Sequence, residues 1–217
     1  ILKMREKLPL NRGRWFGGLE PSLQSLIVER ASIVRFGPGE RLAEEGLTAV
    51  GLYAVLEGHV RVVRRIAEGV EVPVHVAGPG FWTGEYATLS GQPVIGSIVA
   101  DTRVRALLLA ASEFERLVDE DPHRFRQFMQ LMLDRYPGVY QTVAELQGLP
   151  SEELVGKRLA GLARMWREDL SATGPVDIRV SQAELAAMLG LSRQRLSTLL
   201  HRLQTRGQIT VGFRSIR

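Results

Sequence analysis

The apolar positions of this chain follow a helical period, then a strand period, then a helical period again. In residues 21–30, Leu23, Leu26 and Ile27 fall on one face of a helix. Ahead of it, residues 1–20 mix charges with Gly17-Gly18 and are expected to form a loose arm. From Ala31 short β-rich runs take over, at residues 33–36, 51–56, 59–66, 70–77, 94–100 and 104–109. Gly37-Pro38-Gly39, Gly46, Gly58, Gly69, Gly78-Pro79-Gly80 and Gly91 separate them. Short strands at regular spacing with Gly and Pro turns predict a sandwich or jelly roll.

The helical period returns at Ser112. Ser112 with Glu115 is spaced as a capping box, with Phe114 and Leu117 on one face. Asp121-Pro122 reads as an N-cap followed by Pro at the first helical position. In the long helix that follows, Phe125, Met129, Met132, Tyr136, Val139, Val143 and Leu146 alternate steps of four and three. That a/d seam over about three heptads is the pattern of a coiled-coil dimer interface, or of an amphipathic helix packed on its own domain. Pro137 removes a backbone donor and is expected to bend the helix or divide it. Gly148-Leu149-Pro150 makes a hinge. Ser151 is expected to cap the next helix, with Glu152 and Glu153 near its positive end and Val155, Leu159, Leu162, Ala163 and Trp166 inside. A turn at residues 172–175 and a short strand at 178–180 follow.

Residues 181–207 carry the densest set of local signals. Ser181 and Glu184 form a second capping-box spacing, and Leu185, Met188 and Leu189 give an apolar face. Gly190 falls at the left-handed C′ position, and Ser192 is the next N-cap. Leu196, Leu199, Leu200 and Leu203 then make a buried stripe. Gln194, Ser197, Thr198 and His201 point the other way, with Arg193 at the exposed N-terminal end. Two capped helices, a Gly turn and a polar free face predict a helix-turn-helix whose second helix enters a major groove. Residues 208–211 and 213–216, around Gly212, predict a small hairpin, a wing whose Arg214 could touch phosphate.

Charge sharpens this reading. The net charge is +4, yet residues 151–217 hold eleven Lys and Arg against six Asp and Glu, while the remainder is nearly balanced. From Ser181 onward six arginines face Glu184 alone. A helical hairpin inside an ordinary core has no use for that excess; a surface that meets DNA phosphates does. With no cysteine, disulfides and thiolate metal sites are excluded, and a reducing cytoplasm fits. No apolar run approaches the roughly 20 residues of a membrane span, and no signal-peptide pattern opens the chain. It begins at Ile1, so an initiator is expected upstream. The histidines His59, His75, His123 and His201 form no i, i+4 pair, so no metal site is expected. No nucleophile elbow or phosphate loop is present, Gly78-x-Gly80 reads as a turn, and Arg64-Arg65 as a solvated strand end. Neither a catalytic constellation nor a cofactor is indicated.

Helix, β-roll, seam helix, hinge and winged helix-turn-helix, in that order, resemble the cyclic-AMP receptor protein/fumarate–nitrate regulator (Crp/Fnr) superfamily of bacterial transcription factors. The carriers are Phe36-Gly37-Pro38-Gly39-Glu40, Leu52-Tyr53-Ala54-Val55-Leu56-Glu57-Gly58, Gly84-Glu85, Asp121-Pro122 and residues 181–207. The resemblance implies an α+β chain: a jelly-roll, cyclic-nucleotide-binding-like domain at 19–120, a dimerisation helix at 121–148 and a winged helix-turn-helix at 151–217. It implies a homodimer on a palindromic duplex site, with RNA polymerase a further candidate partner and a small-molecule effector between roll and seam helix.

Family contact positions fall on Arg193, Gln194 and Thr198; Ser192, Ser197, His201 and Arg214 complete the expected DNA-facing set. Arg pairs bidentately with guanine and Gln with adenine, so a guanine under Arg193 is expected. In the effector pocket Gly84 and Glu85 match the ribose side, while Val94 and Ile95 stand where the family's phosphate-binding Arg-Ser pair would be. Glu85 has a second reading, as a turn residue that holds the roll. Tyr140 and Gln141 fall where the seam helix would contact a base. The pocket is therefore expected not to take cyclic AMP, unless Arg103 and Arg105, which lie nearby in sequence, substitute for the missing cation. His75 matches either an ordinary hydrogen-bonded strand histidine or the haem ligand of gas-sensing relatives. The alternative function is a cyclic-nucleotide-binding regulatory module without a DNA role.

Overall fold

In the computed structural model, which describes Leu10 and residues 14–166, 174–212 and 215–217, the first half builds two four-stranded antiparallel sheets. The strands are β1 (Ser32–Phe36), β2 (Arg41–Ala43), β3 (Gly51–Glu57), β4 (Val60–Ala67), β5 (Val70–Ala77), β6 (Trp82–Thr83), β7 (Ser97–Ala100) and β8 (Val104–Ala110). One sheet has the order β1-β8-β3-β6 and the other β2-β7-β4-β5. β3 is buried along nearly its whole length because the two faces of its sheet meet different layers. Leu52, Ala54 and Leu56 point to a layer of helices, and Tyr53 and Val55 into the space between the sheets. On β8, Leu107 and Leu109 join the first set, Val104 and Ala106 the second. A strand of period two with both faces covered reads in sequence as one apolar run.

The helical layer is made by α1 (Arg14–Gly18), α2 (Pro21–Arg30), α3 (Glu85–Ser90), α4 (Ala111–Glu120) and the long α5 (His123–Gly148). α1 inserts two rings: Trp15 meets Trp82 edge-on at 5.0 Å, and Phe16 stacks on Trp82 at 5.4 Å. Phe128 of α5 meets Phe114 of α4 edge-on at 4.9 Å. The Trp15 indole donates to the Gln127 carbonyl at 2.6 Å, tying α1 to α5. Residues 14–19 are therefore not a loose arm: two aromatic side chains bury too much apolar surface to stay in solvent. On α5 the buried residues are Phe128 and Leu131, and the helix runs undivided through Pro137. The Asp121 carboxylate accepts from the His123 amide at 3.1 Å and caps its start.

The second half comprises α6 (Ser151–Trp166), α7 (Gln182–Met188), α8 (Arg193–Thr205), β9 (Val211–Gly212) and β10 (Ser215–Ile216). Its core gathers Val155, Leu159, Leu162, Leu185, Leu196 and Leu200, and Val76 of β5 enters the same cluster. That shared core makes a packed joint between the halves. At the joint Arg61 of β4 pairs with both Asp101 of the roll and Glu184 of α7. The His59 ring stacks on Trp166, centroids 3.8 Å apart. Beside them Gly78 passes so closely that a Cβ there would lie 3.0 Å from the His59 ring and 3.3 Å from the Met165 carbonyl.

Several expectations need correction. The Ser112–Glu115 capping box does not form, because α4 starts at Ala111 straight out of β8 and Ser112 lies inside its first turn. Ser151 opens α6 without a capping bond of its own; its hydroxyl accepts from the Arg195 guanidinium. The strand expected at 94–100 begins at Ser97, since Val94 exchanges hydrogen bonds with the turn at Gly46 and Leu47 instead. Residues 178–180 contribute one bridge, Ile178 to Ile216. β2, β6 and α3 are too short to show a period. Arg214, Phe213 and part of the turn at 172–175 lie outside the described residues. No described helix is long and apolar enough to cross a membrane.

Burial works against the Glu184 carboxylate, but Ser181 and the Arg61 guanidinium outweigh it and hold its pKa below the usual carboxylate value. Glu184→Gln is expected to cost about 1–2 kcal/mol in urea unfolding at neutral pH. A depressed folded pKa stabilises above the unfolded value and is lost as pH falls through the folded one. The gap between wild type and variant should therefore close as pH falls below 4.5.

Candidate nucleic-acid interface and effector cavity

Helix α7 is started by the full capping box: the Glu184 amide donates to the Ser181 hydroxyl at 3.2 Å, and the Ser181 amide to the Glu184 carboxylate at 2.8 Å. Gly190 takes φ +61°, left-handed, and lets the chain turn at once into α8. There the Ser192 hydroxyl accepts from the Arg195 amide at 3.2 Å. Leu196, Leu199, Leu200 and Leu203 are buried, which fixes the rotation of the helix. Ser192, Arg193, Gln194, Ser197, Thr198 and His201 are consequently all exposed on one side and at the N-terminal end. The Thr198 hydroxyl donates back to the Gln194 carbonyl at 3.1 Å.

The arginine excess is partly spent inside the protein. Arg195 donates to Ser151, Arg202 and Arg206 face Glu152, and Arg217 pairs with Asp177 at 2.8 Å. Arg193 makes no hydrogen bond or ion pair among the described residues, so its fork is free at the end of α8 that would sit deepest in a groove. This discriminates among the arginines in a way that counting charges cannot.

The second site is a cavity of about 210 Å³ beside β6 and α3. Gly84 takes φ +90° next to the Gly51 carbonyl, where a Cβ would fall 2.3 Å away, so only glycine can place Glu85 at the start of α3. Glu85 is buried, and Arg135 of α5 donates both to its carboxylate and to the Trp82 carbonyl. The guanidinium also lies over the Phe81 ring at 4.7 Å. Burial pushes the Glu85 carboxyl up, and the facing guanidinium pulls it back. Val94 and Ile95 line the same space, Val94 buried and Ile95 half exposed.

Two expectations fail here. Tyr140 and Gln141 do not line the cavity. At about 100° per residue they lie roughly 140° and 240° around α5 from Arg135, so they point elsewhere. The Tyr140 hydroxyl meets that of Tyr136 at 3.2 Å, and Gln141 donates to Glu145 at 2.8 Å. Nor do Arg103 and Arg105 line the cavity as substitute cations: Arg103 is exposed and Arg105 pairs with Glu57 at 2.7 Å. Arg135 and Arg64 take that place. Arg64 is exposed, as a solvated strand end should be, and also donates to the Ile95 carbonyl and faces Glu45 at 3.5 Å. The signal for Arg135 was its spacing: it continues the buried stripe Phe128, Leu131 by one further step of four.

Of the seam residues, Phe125, Tyr136, Val139, Val143 and Leu146 are exposed and Met129 and Met132 half-buried. Leu133 and Tyr140 widen the exposed strip.

Residues 33–121 match the cyclic nucleotide-binding domain family, and residues 157–217 the Crp-like helix-turn-helix domain family. The chain is 25% identical, over 95% of its own length and 92% of the other's, to a CRP-like cAMP-activated global transcriptional regulator of Mycobacterium tuberculosis. It is 28% identical to the nitrogen fixation regulation protein FixK of Bradyrhizobium diazoefficiens, over 82% of this chain and 74% of that one. Its fold is similar to that of a CRP/FNR-family transcriptional regulator from Thermus thermophilus, with TM-score 0.68 and 25% identity over 85% of this chain and 92% of that one.

Removing the cavity cation tests how the site is held. Arg135→Met is expected to destabilise the fold by about 3–5 kcal/mol, because it leaves a buried carboxylate without its partner. Adding Glu85→Gln should restore at least half of that loss in a double-mutant cycle followed by chemical unfolding.

Proposed function

This chain belongs to the Crp/Fnr family of transcription regulators, and we propose that it acts as a homodimer that reads a palindromic duplex site with α8. The observation that carries the reading is the face made by Arg193, Gln194, Ser197, Thr198 and His201, exposed above a buried leucine stripe. Helix α5 supplies the dimer contact. Its uncovered strip of Tyr136, Val139, Val143 and Leu146 keeps the a/d spacing that two parallel helices need. A regulatory module without a DNA role would have no reason to keep Arg193 unpaired beside an apolar-free face.

The effector is proposed to be something other than cyclic AMP. Similarity to a cAMP-activated regulator makes that nucleotide the ligand to test. Yet Glu85 is already engaged by Arg135, and Arg64 by Glu45 and the Ile95 carbonyl. Val94 and Ile95 offer no cation or hydroxyl of their own. The open volume of about 210 Å³ is also below the roughly 300 Å³ at which ligand pockets begin. A cyclic phosphate would have to break both internal pairs and shed its water to enter.

Three outcomes are expected. Met132→Glu and Val143→Glu should yield monomers in sedimentation and weaken DNA binding together; dimers that survive both would refute the seam. Arg193→Ala should cost about 1–3 kcal/mol on the preferred site and relax selection at one base pair, as read by a binding-selection experiment. An unchanged base preference would remove α8 from the role of reader. Calorimetry should detect no binding of cyclic AMP or cyclic GMP. Low-micromolar binding that disappears with Glu85→Gln would overturn the effector reading.

A further inference from the structure

A second cavity, of about 300 Å³, opens where β5, the C-terminal end of α5 and α6 meet. Its polar lining is mostly cationic: Lys157, Arg158 and Arg164 from α6, with the His75 ring from β5 and Thr142 from α5. One carboxylate, Glu145 of α5, also faces it. That carboxylate is already occupied, accepting from Gln141 at 2.8 Å and facing Lys157 at 3.5 Å. Neither Arg158 nor Arg164 makes a hydrogen bond or ion pair among the described residues. Arg158 is half-buried, so its charge is partly withdrawn from water with no hydrogen-bond partner among the described residues. Burial draws its pKa down against the pull of Glu145. Desolvation also drives the His75 pKa down, to about 4, so near neutral pH its ring is uncharged and offers the site a hydrogen bond rather than a charge.

The geometry points to an anion site, and specifically to a small phosphorylated ligand seated between the roll and the DNA-binding half. Lys157 is taken up by Glu145 and, at 3.9 Å, by Glu153; Arg158 and Arg164, without ion pairs among the described residues, leave two positive charges, which match a phosphomonoester dianion better than a single carboxylate. Arginine forks favour phosphate oxygens in this way. Val76 and Met165 supply an apolar wall for the body of the molecule, and Gly161, where a Cβ would lie 4.0 Å from the Arg164 guanidinium, leaves room for close approach. The site is separate from the Glu85 cavity and does not depend on what fills it. Because it draws lining from both sides of the packed joint, a ligand there binds only one arrangement of the halves. Its binding and DNA binding are then linked, each changing the other's affinity by the same factor.

The test uses the full chain and inorganic phosphate, with ionic strength held constant by chloride. Isothermal titration should show one saturable site per chain. Arg158→Met should weaken it at least tenfold and Arg164→Gln at least threefold, while Arg116→Met, exposed on α4, leaves it unchanged. Arg164 is itself exposed, so its variant keeps the test open should Arg158→Met fail to fold. Saturating phosphate should shift DNA affinity at least threefold in the wild type and not in Arg158→Met. Absence of saturable binding, or equal binding by both variants and wild type, overturns the site. So does the alternative that these cations reach DNA: a salt slope of DNA binding lowered by about one in Arg158→Met, without phosphate binding by the wild type.

Discussion

Helix α5 is apolar on two faces, and the need to bury both organises the chain around it. One face is buried within the chain. Phe128 and Leu131 close the ring cluster of Trp15, Phe16, Trp82 and Phe114, which is why α1 and α4 lie where they do. The other face runs from Phe125 to Leu146 and is only half-covered at Met129 and Met132 and exposed at its other seam positions. A strip of that length is too extensive to be scattered surface hydrophobicity and asks for a partner of matching period. Between the faces Arg135 reaches sideways to Glu85 and the Trp82 carbonyl.

That pair gives the helix its axial register. Apolar packing alone tolerates sliding by a fraction of a turn. A guanidinium that must meet a carboxylate, a carbonyl and the Phe81 ring at once does not. Buried ion pairs contribute little net stability, since desolvation offsets most of their attraction, and fixing one arrangement among several is the use they serve best. A change of shape at the Glu85 cavity therefore reaches α5 through Arg135 as well as through the packing of α3 on it.

The parts of the fold that obey local rules were legible in the sequence. The capping box at Ser181, the left-handed Gly190, the Ser192 cap and the leucine stripe of α8 each depend on residues within one or two turns. The Gly and Pro punctuation placed the longer strands to within a residue or two, and β5 coincides with the expected span 70–77. What escaped depends on distance in sequence. Trp15 and Phe16 look like part of a mixed arm until Trp82 is brought beside them. Arg135 looks like an ordinary polar position until Glu85, fifty residues earlier, faces it. Ser112 and Glu115 have the right spacing for a cap, but the strand before them runs directly into the helix and leaves no room for one. Net charge near the C-terminus pointed to DNA, yet only the folded structure separates the free Arg193 from the four arginines tied to the protein itself.

Gly78 has a different kind of consequence. It lies neither on the face of α8 nor in either cavity, but its bare backbone sets how near the two halves can come, against the His59 ring and the Met165 carbonyl. A Cβ there would press on a ring that is stacked on Trp166, and that ring must give by a few tenths of an ångström. The position is thus a dial on the resting posture of the molecule. A lineage could use it to change how the two halves pack, while the exposed side chains of α8 and the linings of both cavities stay untouched. Activity thresholds in such a protein can then drift through selection on spacing alone, at a residue that touches no ligand.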